Sequence, residues 1–591
     1  MDGDTTGNPG AAPSSLDDVG PGPAASPPDT VPPLAGSSPA DGAGSEGALG
    51  ARVEGREAAV LDSAHLGDIK GALGTIRMED VGPRRKLSAK LVTLLAIIGP
   101  GLIVMVGDND AGAFATYTQA GQDYGTRLLW VLVLLIPVLY VNQEMVLRLG
   151  AVSGVGHARL ILERFGRFWG AFSVIDLFLV NALTIVTEFI GLSLGLGYLG
   201  VPKIAGVLVA AMVVLVAGST GSFRVFERVC FALVAGSLVI IPIVFLVHPG
   251  FAQVGHDFVV PGLPGGTELS TVMLLIIAIV GTTVAPWQLF FQQSYVIDKR
   301  ITPRFIPYEK VDLWTGIVLV MLGASAMMAF CAAAFVGTPA AGHFTDAGGV
   351  ASGLGTYVSH VAGILFAIGL INASTIGAAA VSLATSYAVA DVLGIRHSLH
   401  RRPREAKGFY AVFAGLLLVA AAIVIVPGSP LGLLTEGVQT LAGVLLPSAT
   451  VFLLLLCNDR EVLGPWVNGP GMNVFTSAVI GVLVILSIIL TTSVLFPSLG
   501  STGILAIFGV GVAASLLLGG FLALKYRRRG GAAVRAVDRG QRATWRMPPL
   551  ALLKPPEIGT GRKVGLAVLR VYLVLAVLLV VVRIVQLALG H

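Results

Sequence analysis

The chain is dominated by apolar runs that are each long enough to cross a lipid bilayer. A membrane-spanning helix needs about 20 predominantly apolar residues, and twelve such runs follow one another along the 591-residue sequence. They begin near Leu91, Leu128, Ala171, Ile204, Val229, Thr271, Gly316, Gly353, Phe409, Leu431, Val474 and Thr502, with a thirteenth candidate at 564–589. Because a chain in hydrocarbon must satisfy its backbone hydrogen bonds internally, we predict an all-α polytopic membrane protein.

Basic residues are distributed unevenly among the loops between these runs. Loops after even-numbered runs hold clusters such as those in 299–310 and 396–407, whereas loops after odd-numbered runs hold only Arg127 and Lys203. Since Lys and Arg concentrate in cytoplasmic loops, we predict a cytoplasmic N-terminus. Membrane topology accounts for the basic clusters, so the net charge of +5 does not indicate binding to nucleic acid.

Composition divides the chain into four parts. Residues 1–85 are rich in Gly, Pro, Ala, Ser and Asp, a composition that buries too little apolar surface to order itself, and we predict a disordered cytoplasmic tail. Residues 86–526 hold the twelve predicted spans, 527–563 are predicted to form a basic cytoplasmic segment, and 564–591 are predicted to be an additional span.

The first apolar run is interrupted by Gly107-Asp108-Asn109-Asp110-Ala111-Gly112-Ala113. Ionisable groups at membrane depth are costly and usually mark a substrate or ion pathway. Glycines loosen the helix, and irregular backbone in a membrane is tolerated only where it is buried in protein or lines a cavity. We therefore predict a cation site at this interruption.

The sixth apolar run has an interruption of its own, at 281–288, where Pro286 follows Gly281, Thr282 and Thr283. Proline removes a backbone donor and clashes with the preceding turn. The first and sixth runs occupy equivalent places if runs 1–5 and 6–10 are inverted repeats, and paired interruptions of this kind point to the central site of a transporter. A packing kink is the alternative for the sixth run taken alone.

The side chains at both interruptions are oxygen donors. Asp110 and Asp108 supply carboxylates, and Asn109, Thr282 and Thr283 could add neutral oxygens. Such ligands suit Mg²⁺, Ca²⁺ and Mn²⁺ better than soft transition metals, and small neighbours such as Ala285 leave room for the water that Mg²⁺ retains. Asp110 is the stronger ligand candidate, whereas Asp108 could equally cap the second half-helix.

Several motifs in these segments resemble those of the NRAMP divalent-metal transporters. They are Gly99-Pro100-Gly101, the run 110–116, Gln119-Ala120-Gly121, Arg148-Leu149-Gly150, Glu188-Phe189-Ile190-Gly191, Thr283-Val284-Ala285-Pro286 and Gln439, eight residues before Pro447. The resemblance covers most of 90–525. It implies a LeuT-type fold with two inverted five-helix repeats and with helices 1 and 6 broken at mid-membrane, and it adds Gln439 and the Ala285 position to the candidate metal site.

Departures from the family pattern remove one amide ligand and several soft or titratable groups. Ala113 replaces an amide ligand, Ala285 replaces a thioether, Trp287 and Gln292 replace histidines, and Ile185 replaces an aspartate. This combination resembles the NRAMP-related magnesium transporters, a branch that moves Mg²⁺, accepts Mn²⁺ and lacks proton coupling.

We therefore expect an importer of divalent cations, chiefly Mg²⁺ and also Mn²⁺, that works as a monomer and needs no cofactor beyond the transported ion. A proton-coupled Mn²⁺/Fe²⁺ symporter, a sodium-coupled organic-solute symporter of the same fold and an ion channel are the alternatives. An enzyme is not expected, because the sequence holds no catalytic constellation.

Four further acidic positions are weaker candidates for a functional role. Glu188 could belong to a proton path or be a satisfied structural carboxylate, and Glu144 is expected to reach water at the end of the second span. Asp176 is expected to be structural, and Asp346 lies with His343 in an outer loop without metal-site spacing.

Overall fold

The computed structural model describes residues 59–266, 268–427, 447–496, 500–528 and 542–554, with residues 438, 442, 540, 556, 566, 567, 569–571 and 574. The prediction for Gln439 lies outside these residues, as do the tail before residue 59 and most of the thirteenth candidate span.

The described residues form one two-stranded sheet and a series of helices. The strands are β1 (Ile69–Lys70) and β2 (Thr75–Ile76), paired antiparallel. The helices are α1 (Leu87–Ile97), α2 (Pro100–Gly107), α3 (Ala111–Tyr124), α4 (Leu129–Ser153), α5 (His157–Phe165), α6 (Arg167–Tyr198), α7 (Lys203–Gly218), α8 (Phe223–Gly236), α9 (Ile240–Val247), α10 (Phe251–Val259), α11 (Leu269–Thr283), α12 (Pro286–Asp298), α13 (Ile306–Phe335), α14 (Ala347–Tyr357), α15 (His360–Leu393), α16 (Lys407–Ile425), α17 (Pro447–Cys457), α18 (Arg460–Leu463), α19 (Pro470–Leu495) and α20 (Ser501–Arg528).

Nine helical segments in the described part of the chain are long and apolar enough to cross a membrane, and the pair α1 and α2, bent by 48°, would make a tenth. Two further apolar helices, α7 and α17, are shorter. The helical membrane architecture is therefore confirmed, whereas a total of twelve spans stays a prediction. The eighth span begins at His360 and not near Gly353, because Gly353 belongs to α14, a separate short helix that ends at Tyr357.

The predicted boundary of the N-terminal tail at residue 85 is wrong, because residues 59–85 pack against the helices. Asp62 is buried and accepts hydrogen bonds from Arg401 and from the backbone N–H of His397. Arg300 donates to the carbonyl oxygen of Ala64 at 2.7 Å, and the N–H of Ala72 bonds to Glu227. Polar and charged contacts to the helix ends, together with burial of Ala59, Ile69 and Ile76 in the hydrophobic core, order this segment.

Long helices around α2 and α3 position the two interruptions. The helix α13 packs along both α2 and α3, and α6 packs along α15. Gly101 makes close contact with α13 possible, since a Cβ there would lie 2.6 Å from the backbone of Leu313. The Asp312 carboxylate of α13 accepts from the backbone N–H of Gly101 at 2.6 Å and of Leu102 at 3.2 Å, so it satisfies donors that the first turn of α2 leaves open.

Candidate functional site

The first interruption consists of the three residues between α2 and α3. Asp108, Asn109 and Asp110 are buried, with exposed fractions of 0%, 7% and 5%. Asp110 is the N-cap of α3, and its side chain accepts from the N–H of Ala113 at 2.9 Å. The sequence interpretation considered Asp108 for this capping role, but Asp110 caps α3 and Asp108 ends α2.

The second interruption separates α11 from α12 at Val284 and Ala285. Pro286 occupies the first turn of α12, where its fixed φ and missing N–H are tolerated. The hydroxyl of Thr283 donates to the carbonyl of Ile279 at 2.6 Å and bonds to Tyr117 at 2.7 Å. Its side-chain oxygen is therefore already engaged, so the backbone carbonyl of Thr283 is the better candidate oxygen. Thr282 and Ala285 are buried beside it.

Gln288 joins the two interruptions. Its Nε2 donates to Oδ1 of Asp108 and lies 3.3 Å from the carbonyl oxygen of Thr283. Its Oε1 accepts from Nε2 of Gln143 on α4 at 2.9 Å. Sequence reasoning gave Gln288 no role, although an amide two residues after Pro286 in an apolar run was the signal that could have found it.

Two oxygen atoms of the first interruption are buried without a hydrogen-bond partner in the described part of the chain. They are Oδ2 of Asp108 and Oδ1 of Asn109. A buried polar atom left unpaired is costly, and a hard cation or its hydration water would satisfy both. The donor chemistry of this interruption therefore fits a divalent cation as substrate.

A third carboxylate, that of Glu188, stands against the start of α3. Its Oε2 accepts from the N–H of Ala111 at 3.1 Å, and its carboxyl group lies beside that of Asp110. Gly377 on α15 provides the space, because a Cβ there would lie 2.6 Å from Cδ of Glu188. The structure thus brings Glu188 into the candidate site, which the structural reading of this residue did not expect.

The positions that depart from the NRAMP pattern are buried around the interruptions. Ala113 and Ile185 are fully buried, and Trp287 is 1% exposed. A Cβ on Gly107 would lie 3.7 Å from the Trp287 ring, so the indole packs beside the end of α2. Gln292 is buried, and neither of its amide atoms has a hydrogen-bond partner within the described ranges.

The remaining candidates have structural partners. Glu144 is buried and pairs with Arg148 at 3.1 Å and with Lys310 at 3.0 Å, so the expectation that it reaches water is wrong. Asp346 caps α14 by accepting from the N–H of Gly349. Asp176 accepts from Ser448 at 3.1 Å.

Asp176 also lines a small cavity of about 10 Å³, room for about one water molecule, which Pro286 at the second interruption lines as well. Over the residues that the structure describes, no group of three or more His, Cys, Asp or Glu side chains is arranged to hold a metal ion. A cation at the interruptions would therefore need backbone, amide or water oxygens beside its carboxylates.

A buried ion pair joins helix ends on the side of the molecule that bears the basic loops. Nζ of Lys299 lies 2.5 Å from Oε1 of Glu227, both side chains are fully buried, and Nζ also donates to the carbonyl of Ile98 at 2.7 Å. Gly99 has φ +153° at the α1–α2 bend, and a Cβ there would lie 2.3 Å from Glu227. Only glycine fits this position, both for its backbone conformation and for the space that the ion pair needs.

Comparisons with known proteins find matches in sequence and in fold. The profile of the natural resistance-associated macrophage protein-like (Nramp) family matches residues 101–493. The divalent metal cation transporter MntH of Levilactobacillus brevis is 28% identical over 424 residues, which cover 68% of this chain and 90% of the relative. The crystal structure of the Eremococcus coleocola manganese transporter superimposes with a TM-score of 0.60 at 21% identity, covering 76% of this chain and 98% of that one. A mutant of the same transporter gives a TM-score of 0.59 at 20% identity, covering 77% and 97%.

Proposed function

The chain belongs to the Nramp family, whose members are multi-pass membrane transporters, and we propose that it imports divalent cations, chiefly Mg²⁺ and also Mn²⁺. The observation that carries this proposal is the first interruption, where buried carboxylate and amide oxygens lie without a sulfur or imidazole ligand in the break. Hard oxygen ligands favour Mg²⁺ and Mn²⁺, and an incomplete protein shell suits Mg²⁺, which keeps several waters.

Transport is proposed to follow alternating access around the two interruptions. In this proposal the interruptions are the unwound centres of spans 1 and 6, and the fold is a LeuT-type pair of inverted five-helix repeats. Helix ends at such interruptions present backbone dipoles to the ion. The buried pair of Lys299 and Glu227 supports a closed cytoplasmic side in this conformation.

Uptake is proposed to need no proton coupling. Trp287, Gln292 and Ile185 stand where the family resemblance expects titratable groups, and none of these side chains carries a proton to exchange. A membrane potential of 100 mV contributes about 2.3 kcal/mol per elementary charge, hence about 4.6 kcal/mol for a divalent ion. We propose a monomer in the plasma membrane with a cytoplasmic N-terminus.

Proteoliposomes loaded with a Mg²⁺-sensitive dye test the proposal. Asp110→Ala should abolish dye-reported uptake, whereas Asp346→Ala, which removes a carboxylate at an outer helix cap, should leave uptake near the wild-type rate. Absence of Mg²⁺ flux in the wild type, or full flux in Asp110→Ala, would contradict the assignment.

One observation favours a second candidate, a proton-coupled Mn²⁺/Fe²⁺ symporter. Glu188 and Asp110 form a carboxyl pair at the site, and neighbouring carboxyl groups can share a proton. A pH dye inside the same proteoliposomes separates the two functions. Acidification that accompanies metal entry and disappears in Glu188→Gln would establish the symporter, and metal entry at constant internal pH would establish the uniporter.

A further inference from the structure

Gln288 satisfies one oxygen atom of each helix interruption with the same amide group. Its Nε2 donates to Oδ1 of Asp108 and lies 3.3 Å from the carbonyl oxygen of Thr283. A primary amide nitrogen carries two hydrogens, so each oxygen can receive one. The side chain is fully buried, and both hydrogen bonds are therefore shielded from water.

Gln143 fixes the direction in which this amide faces. Its Nε2 donates to Oε1 of Gln288 at 2.9 Å, which holds the Gln288 oxygen toward α4 and away from the interruptions. Gln288 would have to break this hydrogen bond before it could turn its own oxygen toward a cation. The residue therefore presents donors, and not a ligand, to Asp108 and Thr283.

Carboxylate and carbonyl oxygens are the atoms that hard divalent cations prefer. We propose that Gln288 competes with the transported cation for these two oxygens, holding them while the site is empty and releasing them when the ion arrives. This inference rests on the proposed function and adds to it a residue that sets the balance between ion binding and ion release.

The proposal has an unusual kinetic consequence. Hydrogen bonds made only in the empty state stabilise that state, and their removal shifts the equilibrium toward the loaded state. A variant without the amide should bind the ion more tightly and release it more slowly, so KM and the maximal rate should fall together. Loss of packing or of a direct ligand would instead raise KM.

Gln288→Leu removes the amide and keeps most of the side-chain volume. In the Mg²⁺ uptake assay, its half-saturating concentration should fall about tenfold, which corresponds to about 1.4 kcal/mol, and its maximal rate should fall as well. Gln293→Leu is the matched control on the same helix. Its buried amide bonds to His157 and to the carbonyl of Val155, away from both interruptions, and its half-saturating concentration should stay at the wild-type value.

Gln143→Leu tests the same step if Gln288→Leu fails to fold. Gln288 is then free to rotate away from Asp108, and the half-saturating concentration should again fall. Binding can also be followed with purified protein in detergent, where Mg²⁺ or Mn²⁺ should raise the Tm of the variant at lower concentration than that of the wild type, because ligand stabilisation grows with [L]/Kd.

The outcomes separate this inference from the proposed function. If the wild type transports Mg²⁺ and Asp110→Ala does not, but Gln288→Leu matches Gln293→Leu or shows a higher half-saturating concentration, the competition is refuted while the transport function stands. If the wild type carries no Mg²⁺, the proposed function itself has failed.

Discussion

Gly377 offers the sharpest test of how the carboxylate of Glu188 is held at the site. A Cβ at this position would lie 2.6 Å from Cδ and Oε2 of Glu188 and 2.8 Å from Oε1. Contacts this short must be relieved, and Gly377→Ala should therefore push the carboxylate away from the N–H of Ala111. Overpacking of a buried site costs about 1–3 kcal/mol.

Gly415→Ala is the matched control, because it also replaces a glycine inside a long helix and has no heavy atom within 4 Å of the added Cβ. Both variants gain the helix propensity of alanine, so their difference isolates the contact with Glu188. Thermal unfolding in detergent should give a lower Tm for Gly377→Ala than for Gly415→Ala, and Mg²⁺ uptake should fall only in the former.

Glu188→Ala combined with Gly377→Ala completes the test as a double-mutant cycle. Removal of the carboxyl group removes the clash, so Gly377→Ala should cost less stability in the Glu188→Ala background than in the wild type, with a coupling of about 1–3 kcal/mol. Equal Tm and uptake for Gly377→Ala and Gly415→Ala, or additive effects in the cycle, would refute the placement of Glu188 against α15.

Two further predictions concern the face that carries the basic loops. Burial opposes the charge of His397, but the carboxylate of Asp391 lies 3.0 Å from Nε2 of His397 and raises the pKa of this histidine from 6.5 to about 9. The stability that this pair contributes should therefore be complete below about pH 6.5 and lost as pH rises through about 9. A pH series of Tm for wild type and His397→Gln measures it, and a difference that grows toward pH 9 would contradict the sign. Lys299→Met should lower the free energy of unfolding by about 3–5 kcal/mol because it leaves Glu227 buried and unpaired. Addition of Glu227→Gln to the same chain should restore part of that loss, as measured by chemical unfolding. Equal stability of Lys299→Met and wild type would show that the pair is not buried as described.

Sequence reasoning singled out the two segments in which the structure ends one helix and begins the next, because the signals for such breaks are local. Carboxylates and glycines in an apolar run, and a proline after a Gly-Thr-Thr run, depart from the rule that membrane spans are apolar and regular. The N-terminal boundary was misplaced because the composition of 1–85 taken as a whole predicts disorder, whereas the order of 59–85 depends on partners far along the chain, such as Arg300 and Arg401. The sequence left capping open for Asp108, because either Asp108 or Asp110 suits a helix start, and only backbone geometry shows that Asp110 is the cap.

The amino-acid sequence by itself determined the membrane environment, the family and the two interrupted segments, because hydropathy and short motifs are properties of neighbouring residues. Only the tertiary structure decided which groups meet at the interruptions. Gln288 reaches Asp108 across 180 positions, and Glu188 reaches Ala111 across 77. Such pairings depend on how α12, α6 and α15 pack around the first span, and no local pattern encodes that packing.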